Sequence, residues 1–216
     1  MYIGQRALNL IHAFLKSYGP SNIKRMLWDK EYAGTKWNFA DNTLGDCVYS
    51  HLEKYTRNGS LLDLGCGSGN TATELATTAY QTYIGVDISA EALSKATRRT
   101  AEIGRADRNS FAQGDFLNYI PNQQFDVILF RESLYHVPVG KIKTILEQYS
   151  KYLKKGGVFV VRLKTSSGKN GMRKPRPNAM VGIIEAEFDV LEKGEYTESG
   201  ATVVVFQPRP QDLSVD

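Results

Sequence analysis

Residues 61–70 read Leu61-Leu62-Asp63-Leu64-Gly65-Cys66-Gly67-Ser68-Gly69-Asn70. A short apolar run, long enough for one buried strand, passes directly into three alternating glycines. Glycine lets a backbone adopt positive φ and approach a ligand closely, so the pattern predicts a strand, a tight turn and the mouth of a helix. Upstream, Asn58-Gly59 marks a turn into that strand, and residues 41–55 are predicted helical. Further back, Ala7, Leu10, Ile11, Phe14, Leu15 and Tyr18 share one helical face over residues 6–18, closed by Gly19-Pro20.

Downstream, strand and helix signals alternate. Strands are predicted at 83–87, 110–113, 125–130 and 158–163, most of them apolar on both faces as parallel strands require. Helices are predicted at 71–79, at 90–103 behind a Ser89 cap, and at 139–153, where Gly156-Gly157 reads as the stop signal. Residues 188–192 and 201–206 read as a final antiparallel hairpin turning around 194–200. The expected fold is α/β, a doubly wound Rossmann-like sheet, mostly parallel with a reversed end. Residues 161–177 carry Arg162, Lys164, Lys169, Arg173, Lys174 and Arg176 without an acid, and read as a basic loop.

Composition narrows the function classes. The 216 residues suit one core rather than two enzyme domains, and a net charge of +4 chooses no partner. Cys47 and Cys66 lack metal-ligand spacing and are too few for a disulfide framework, so a reducing, cytoplasmic setting is expected with no metal. No apolar run approaches the roughly 20 residues that cross a bilayer, so no membrane partner is expected.

The glycine spacing is G-x-G-x-G, not the G-x-G-x-x-G that presents a helix to a pyrophosphate, and Asp63 precedes it. A carboxylate there disfavours NAD and suits a ligand with a cationic amino group. Asp87 ends the next strand, where a carboxylate accepts from ribose hydroxyls. Asp115 follows the third strand and is placed to accept from an adenine amino group, with Ile88 and Phe116 against the ring.

Together, residues 61–70, 84–89, 113–116 and 125–138 resemble the successive cofactor motifs of class I S-adenosylmethionine-dependent methyltransferases. The resemblance implies a seven-strand sheet over residues 41–216 and S-adenosyl-L-methionine as cofactor. Asp63, Gly65, Cys66, Gly67, Gly69 and Asn70 would then lie near its methionine end, Asp87 on its ribose, and Asp115 near its adenine. Residues 28–37, Trp-Asp-Lys-Glu-Tyr-Ala-Gly-Thr-Lys-Trp, resemble the aromatic lead-in of the thiopurine and tellurite-resistance branch, although Lys36 stands where many relatives have proline. That implies Tyr32 and Trp37 folding over the cofactor, and residues 1–40 as a helical, cofactor-capping extension.

Arg131, Glu132, Tyr135 and His136 follow the fourth strand, between cofactor and acceptor, with Arg131 bordering both. His136 is the candidate general base because its ordinary pKa is near neutrality; His12 and His51 fall on helices and read as surface or packing residues. The expected reaction is methyl transfer to N, O, S or C of a small molecule, and the basic loop, Arg173 and Arg176 included, points to an anionic acceptor. The alternatives are an RNA-directed methyltransferase or noncatalytic nucleic-acid binder using that loop, and an NAD-dependent oxidoreductase. No RNA-binding appendage and no Asn-Pro-Pro-Tyr-type motif accompanies the loop, and a monomer or homodimer is expected.

Overall fold

The computed structural model describes residues 2–34, 43–165 and 175–210. In chain order the elements are α1 (Tyr2–Tyr18), α2 (Ser21–Ala33), α3 (Val48–Thr56), β1 (Gly59–Leu64), α4 (Asn70–Glu74), β2 (Tyr80–Asp87) and α5 (Ala90–Glu102). They continue with β3 (Asn109–Gln113), β4 (Phe125–Arg131), α6 (Ile142–Ser150), β5 (Leu153–Lys164), α7 (Pro175–Glu187), β6 (Asp189–Tyr196) and β7 (Ala201–Gln207). Two 3-10 turns, Leu134–His136 and Val139–Lys141, lie between β4 and α6.

The seven strands form one sheet in the order β3-β2-β1-β4-β5-β7-β6. The five strands from β3 to β5 pair in parallel, whereas β7 runs antiparallel between β5 and β6. Because strand side chains alternate, the central strands feed two cores. Leu62, Leu64, Ile128, Phe130, Phe159 and Val161 pack with α6 and α7 residues such as Leu146 and Ile184, while Leu61, Val127, Leu129, Val158 and Val160 pack with Val48 and Leu52 of α3. Burial on both faces explains the nearly unbroken apolar runs of β4 and β5.

Several boundaries differ from expectation, each for a local reason. The helix expected over 41–55 starts at Val48, since residues 43–47 form a turn in which Asp46 accepts from the Val48 N–H at 3.0 Å. The helix expected over 71–79 ends at Glu74, because Leu75 turns extended and β2 begins at Tyr80. The helix expected over 139–153 is a 3-10 turn followed by α6; Leu153 already pairs with Phe125, so Gly156-Gly157 lies inside β5 at a register shift rather than stopping a helix. Gly194 lies within β6, and the hairpin turns at residues 197–200.

Two helices were not expected individually, α2 falling inside the helical extension expected over residues 1–40 and α7 in what reads as loop. α2 buries Lys24 and Glu31 instead of an apolar stripe, and α7 opens on Pro175-Arg176-Pro177, which reads as loop although proline fits a first helical turn. The 161–177 segment is therefore the end of β5, residues 166–174 outside the described set, and the start of α7. The Ser89 cap is present, its hydroxyl accepting from the Ala92 N–H at 3.1 Å.

Candidate active site

The chain order steps from β1 to β2 and β3 on one side, then crosses to β4 on the other, so a crevice opens where the β1 and β4 carboxyl ends diverge. A cavity of about 690 Å³ fills that crevice. The turn after β1 forms one wall: Gly65 and Cys66 donate their N–H groups to Val86 O, at 2.8 and 3.1 Å. Gly67 has φ +54°, in the left-handed region that favours glycine, and a Cβ there would stand 2.7 Å from the Tyr32 hydroxyl and displace it.

Asp87 faces the cavity at the tip of β2 and accepts from the Gly67 and Ser89 N–H groups, each at 2.9 Å. Burial nonetheless pushes its pKa up to about 6. Asn70 borders the same wall and is held by Arg99 of α5 at 2.6 Å. Ile88, Asp115 and Phe116 line the next stretch.

The N-terminal helices close the cavity from above. Asp115 is ion-paired with Lys24 and accepts from Ser21 Oγ at 2.9 Å, both residues of α2. Asp29 of the same helix accepts from Ser89 Oγ at 2.8 Å, so α2 is fastened at the ends of both β2 and β3. Trp28 and Tyr32, one helical turn apart, line the cavity with Lys16 and Lys24. Lys16 sits 3.3 Å above the Trp28 ring and 2.5 Å from Glu31.

The opposite end is ionic. Asp46 accepts from Arg131 at 2.9 Å and Arg162 at 3.3 Å, while Arg162 also pairs with Glu132. Arg131 and Arg162 are register partners on β4 and β5, and Lys164 follows on the same face; all three line the cavity. The two arginines lower the Asp46 pKa against its burial. Glu132 holds φ +56°, a conformation uncommon for a non-glycine residue, directly after β4.

His136 stacks edge-on against Trp28 at 5.1 Å and tilts over Tyr135 at 4.7 Å. Burial, reinforced by Lys16, Arg176 and Lys24, lowers its pKa to about 4, so the ring is neutral near pH 7. Burial pushes the Tyr135 phenol well up, keeping it protonated.

Of the residues expected from sequence, Gly65, Cys66, Gly67, Asn70, Asp87, Ile88, Asp115, Phe116, Tyr32, Arg131, Glu132, Tyr135 and His136 meet at this cavity. Asp63 and Gly69 stand behind its wall: Asp63 accepts from the Tyr83 hydroxyl at 2.8 Å, and burial raises its pKa to about 6. Trp37 lies outside the described residues, as do Lys169, Arg173 and Lys174. Arg176 does not line the cavity; it donates to Val137 O at 3.0 Å and to the Tyr18 hydroxyl. His12 stands near Glu31, and His51 is buried with its Nε2 2.7 Å from the Tyr196 hydroxyl. Sequence reading missed Lys16, Lys24 and Asp46. The α2 residues were detectable, because Lys24, Trp28, Glu31 and Tyr32 recur at helical spacing, whereas nothing in the sequence distinguishes Asp46.

Residues 56–190, more than half of the chain, match the methyltransferase-domain family. The chain belongs to the class I S-adenosylmethionine-dependent methyltransferases. Among curated proteins it is 27% identical over 139 residues to the sterol 24-C-methyltransferase of Aspergillus fumigatus, covering 59% of this chain and 36% of that protein. It is 33% identical over 98 residues to the 27-O-demethylrifamycin SV methyltransferase of Amycolatopsis mediterranei, covering 45% and 35%. The chain thus spans about a third of the length of these two relatives.

Two solved structures have the same fold. One is a DhpI complex with S-adenosylhomocysteine, with TM-score 0.66, 20% identity and coverage of 92% of this chain and 98% of that one. The other is the N-methyltransferase NodS of Bradyrhizobium japonicum with the same ligand, with TM-score 0.63, 19% identity and coverage of 86% and 98%. The methyltransferase cofactor, S-adenosylmethionine, is the cofactor of this domain. The glycine cradle and the carboxylates around the cavity suit a ligand with hydroxyl and amino groups and no phosphate.

Proposed function

We propose that this methyltransferase moves the methyl group of S-adenosylmethionine to a small acceptor bound at the Arg131–Glu132–Arg162 end of the cavity. One observation carries the reading: a single cavity joins the glycine turn and Asp87 to that ionic end, giving donor and acceptor one enclosed space. The cofactor, when bound, supplies a methyl group already activated on a sulfonium. Catalysis by this chain is then mainly alignment. Asp87 holds the ribose, the 65–70 turn the methionine end with Asp63 supporting it from behind the wall, Asp115, Ile88 and Phe116 the adenine, and Tyr32 closes over them as part of an N-terminal capping extension.

At the acceptor end, Tyr135 is a hydrogen-bond donor. His136 is neutral and has a nitrogen available for a proton, but a pKa near 4 makes it a weak base, so it positions the acceptor more than it deprotonates it. Glu132, directly after β4 at φ +56° and paired with Arg162, brings a carboxylate to the same end as a second proton acceptor. Arg131, Arg162 and Lys164 outnumber Asp46 and Glu132, which favours an acceptor with a carboxylate or phosphate. Because the described cations of the 161–177 segment line this cavity or bond internally, the reading favours a small acceptor over nucleic acid. Two free cysteines fit a reducing, cytoplasmic setting.

The test follows methyl-labelled S-adenosylmethionine into paired acceptors that differ only in a carboxylate or phosphate. The anionic partner should be preferred, and Lys164→Met should raise its KM with little change in kcat. Equal turnover of both partners would remove the anionic acceptor; no transfer to any small molecule, with transfer to RNA instead, would remove the small-molecule reading.

A further inference from the structure

The apolar stripe of α1 faces away from the molecule. Leu8, Leu10, Ile11, Phe14 and Tyr18 are 60%, 72%, 55%, 59% and 47% exposed, and Met26 of α2 is 57% exposed. Amphipathic helices ordinarily turn such a stripe inward, and one helix presenting five large side chains to water marks an interaction surface. Here the inward face of α1 is instead the polar side, with His12 and Lys16 directed toward Glu31.

Charge identifies what the stripe fits. Residues 2–34 contain two acids, Asp29 and Glu31, and both are turned inward: Asp29 accepts from Ser89 Oγ and the Glu91 N–H, and Glu31 is 8% exposed against Lys16. Arg25 and Lys30 are exposed. Among the described side chains of α1 and α2, the exposed ones therefore combine apolar groups with the cations Arg25 and Lys30 and include no carboxylate. Two copies of this face brought together would set like charges against each other with no partner, whereas an anionic lipid headgroup layer satisfies the cations while its acyl region takes the stripe.

We propose that α1, with the outer edge of α2, lies on the surface of an anionic bilayer. The inference is independent of the methyl-transfer reading. Among the described residues no helix is long and apolar enough to cross a membrane, so the mode is surface attachment. Lys16 and Ser17, at the end of α1, line the cavity, so attachment brings the cavity close to the lipid.

Sedimentation of the full chain with vesicles tests this, using phosphatidylcholine alone and phosphatidylcholine mixed with phosphatidylglycerol. The chain should sediment with the mixed vesicles, more weakly as salt is raised, and Phe14→Glu and Arg25→Glu should each weaken binding, the former at least about tenfold. Both side chains are exposed, and circular dichroism verifies that the variants fold. Absence from both vesicle pellets, or equal binding by wild type and Phe14→Glu, overturns the proposal. A dimer in analytical ultracentrifugation that Phe14→Glu converts to monomer, without vesicle binding, assigns the stripe to a second copy instead.

Discussion

Asp87 illustrates how a carboxylate is kept both buried and useful. Its two oxygens each accept a backbone N–H, from Gly67 and Ser89, yet burial still raises its pKa to about 6. Loss of its side chain should weaken S-adenosylhomocysteine binding by about 1.5–3 kcal/mol in Asp87→Ala, measured by calorimetry; unchanged affinity would refute the ribose role. Because the ionised form is the better acceptor, wild-type affinity should fall as pH drops below about 6. His136 has the opposite chemistry. Its folded pKa of about 4 lies below the ordinary 6.5, so the stability linked to its neutral form is present above 6.5 and lost as pH falls from there toward 4. The stability advantage of wild type over His136→Gln in denaturant titrations should therefore shrink between about pH 7 and pH 5; a constant difference would mean that His136 titrates normally. The residues of the β1 turn and the β2 tip were legible because few side chains tolerate their geometry. Asp46 was not, since its position depends on Arg131 and Arg162, 85 and 116 residues away.

At the level of elements, the strands and α1 read well from sequence, whereas α2, which closes the cavity, reads poorly. Strands β4 and β5 are buried on both faces, so hydrophobicity alone reveals them. α2 is docked by ion pairs and hydrogen bonds, Lys24 to Asp115 and Ser89 to Asp29, and such polar docking leaves no apolar period to find. These contacts also set an expectation for the segment from α2 to residue 42. Ligand held between α2 and the β1 turn should slow its cleavage in limited proteolysis with S-adenosylhomocysteine, and Asp29→Ala should speed cleavage without ligand. Equal cleavage with and without ligand would argue against a cap.

Across the whole molecule, the order of strands decides where a ligand is held; alternation predicted a doubly wound sheet ending in a hairpin, whereas the order itself is set by the pairing of the folded strands. A cavity bounded by β1, β2, β4 and α2 couples ligand binding to the stability of the entire sheet. At about a hundredfold excess over its dissociation constant, S-adenosylhomocysteine should add about 2.7 kcal/mol and raise the Tm by roughly 5–10 °C. NAD should give no shift, and a shift with NAD alone would return the glycine turn to a dinucleotide reading.

The placement of β7 has a consequence for biosynthesis. This strand is the last of the seven in the chain, yet it lies inside the sheet, with its side chains almost wholly buried between β5 and β6. Until residue 207 has left the ribosome, the apolar edge of β5 has no partner, and β6 has nothing to join. From the completion of β5 at residue 164 until then, the growing chain must carry an open, sticky strand edge, a period in which chaperone protection matters most. An in-frame deletion of residues 201–207 would leave every cavity-lining residue in the chain, but should yield aggregate rather than a weakened enzyme.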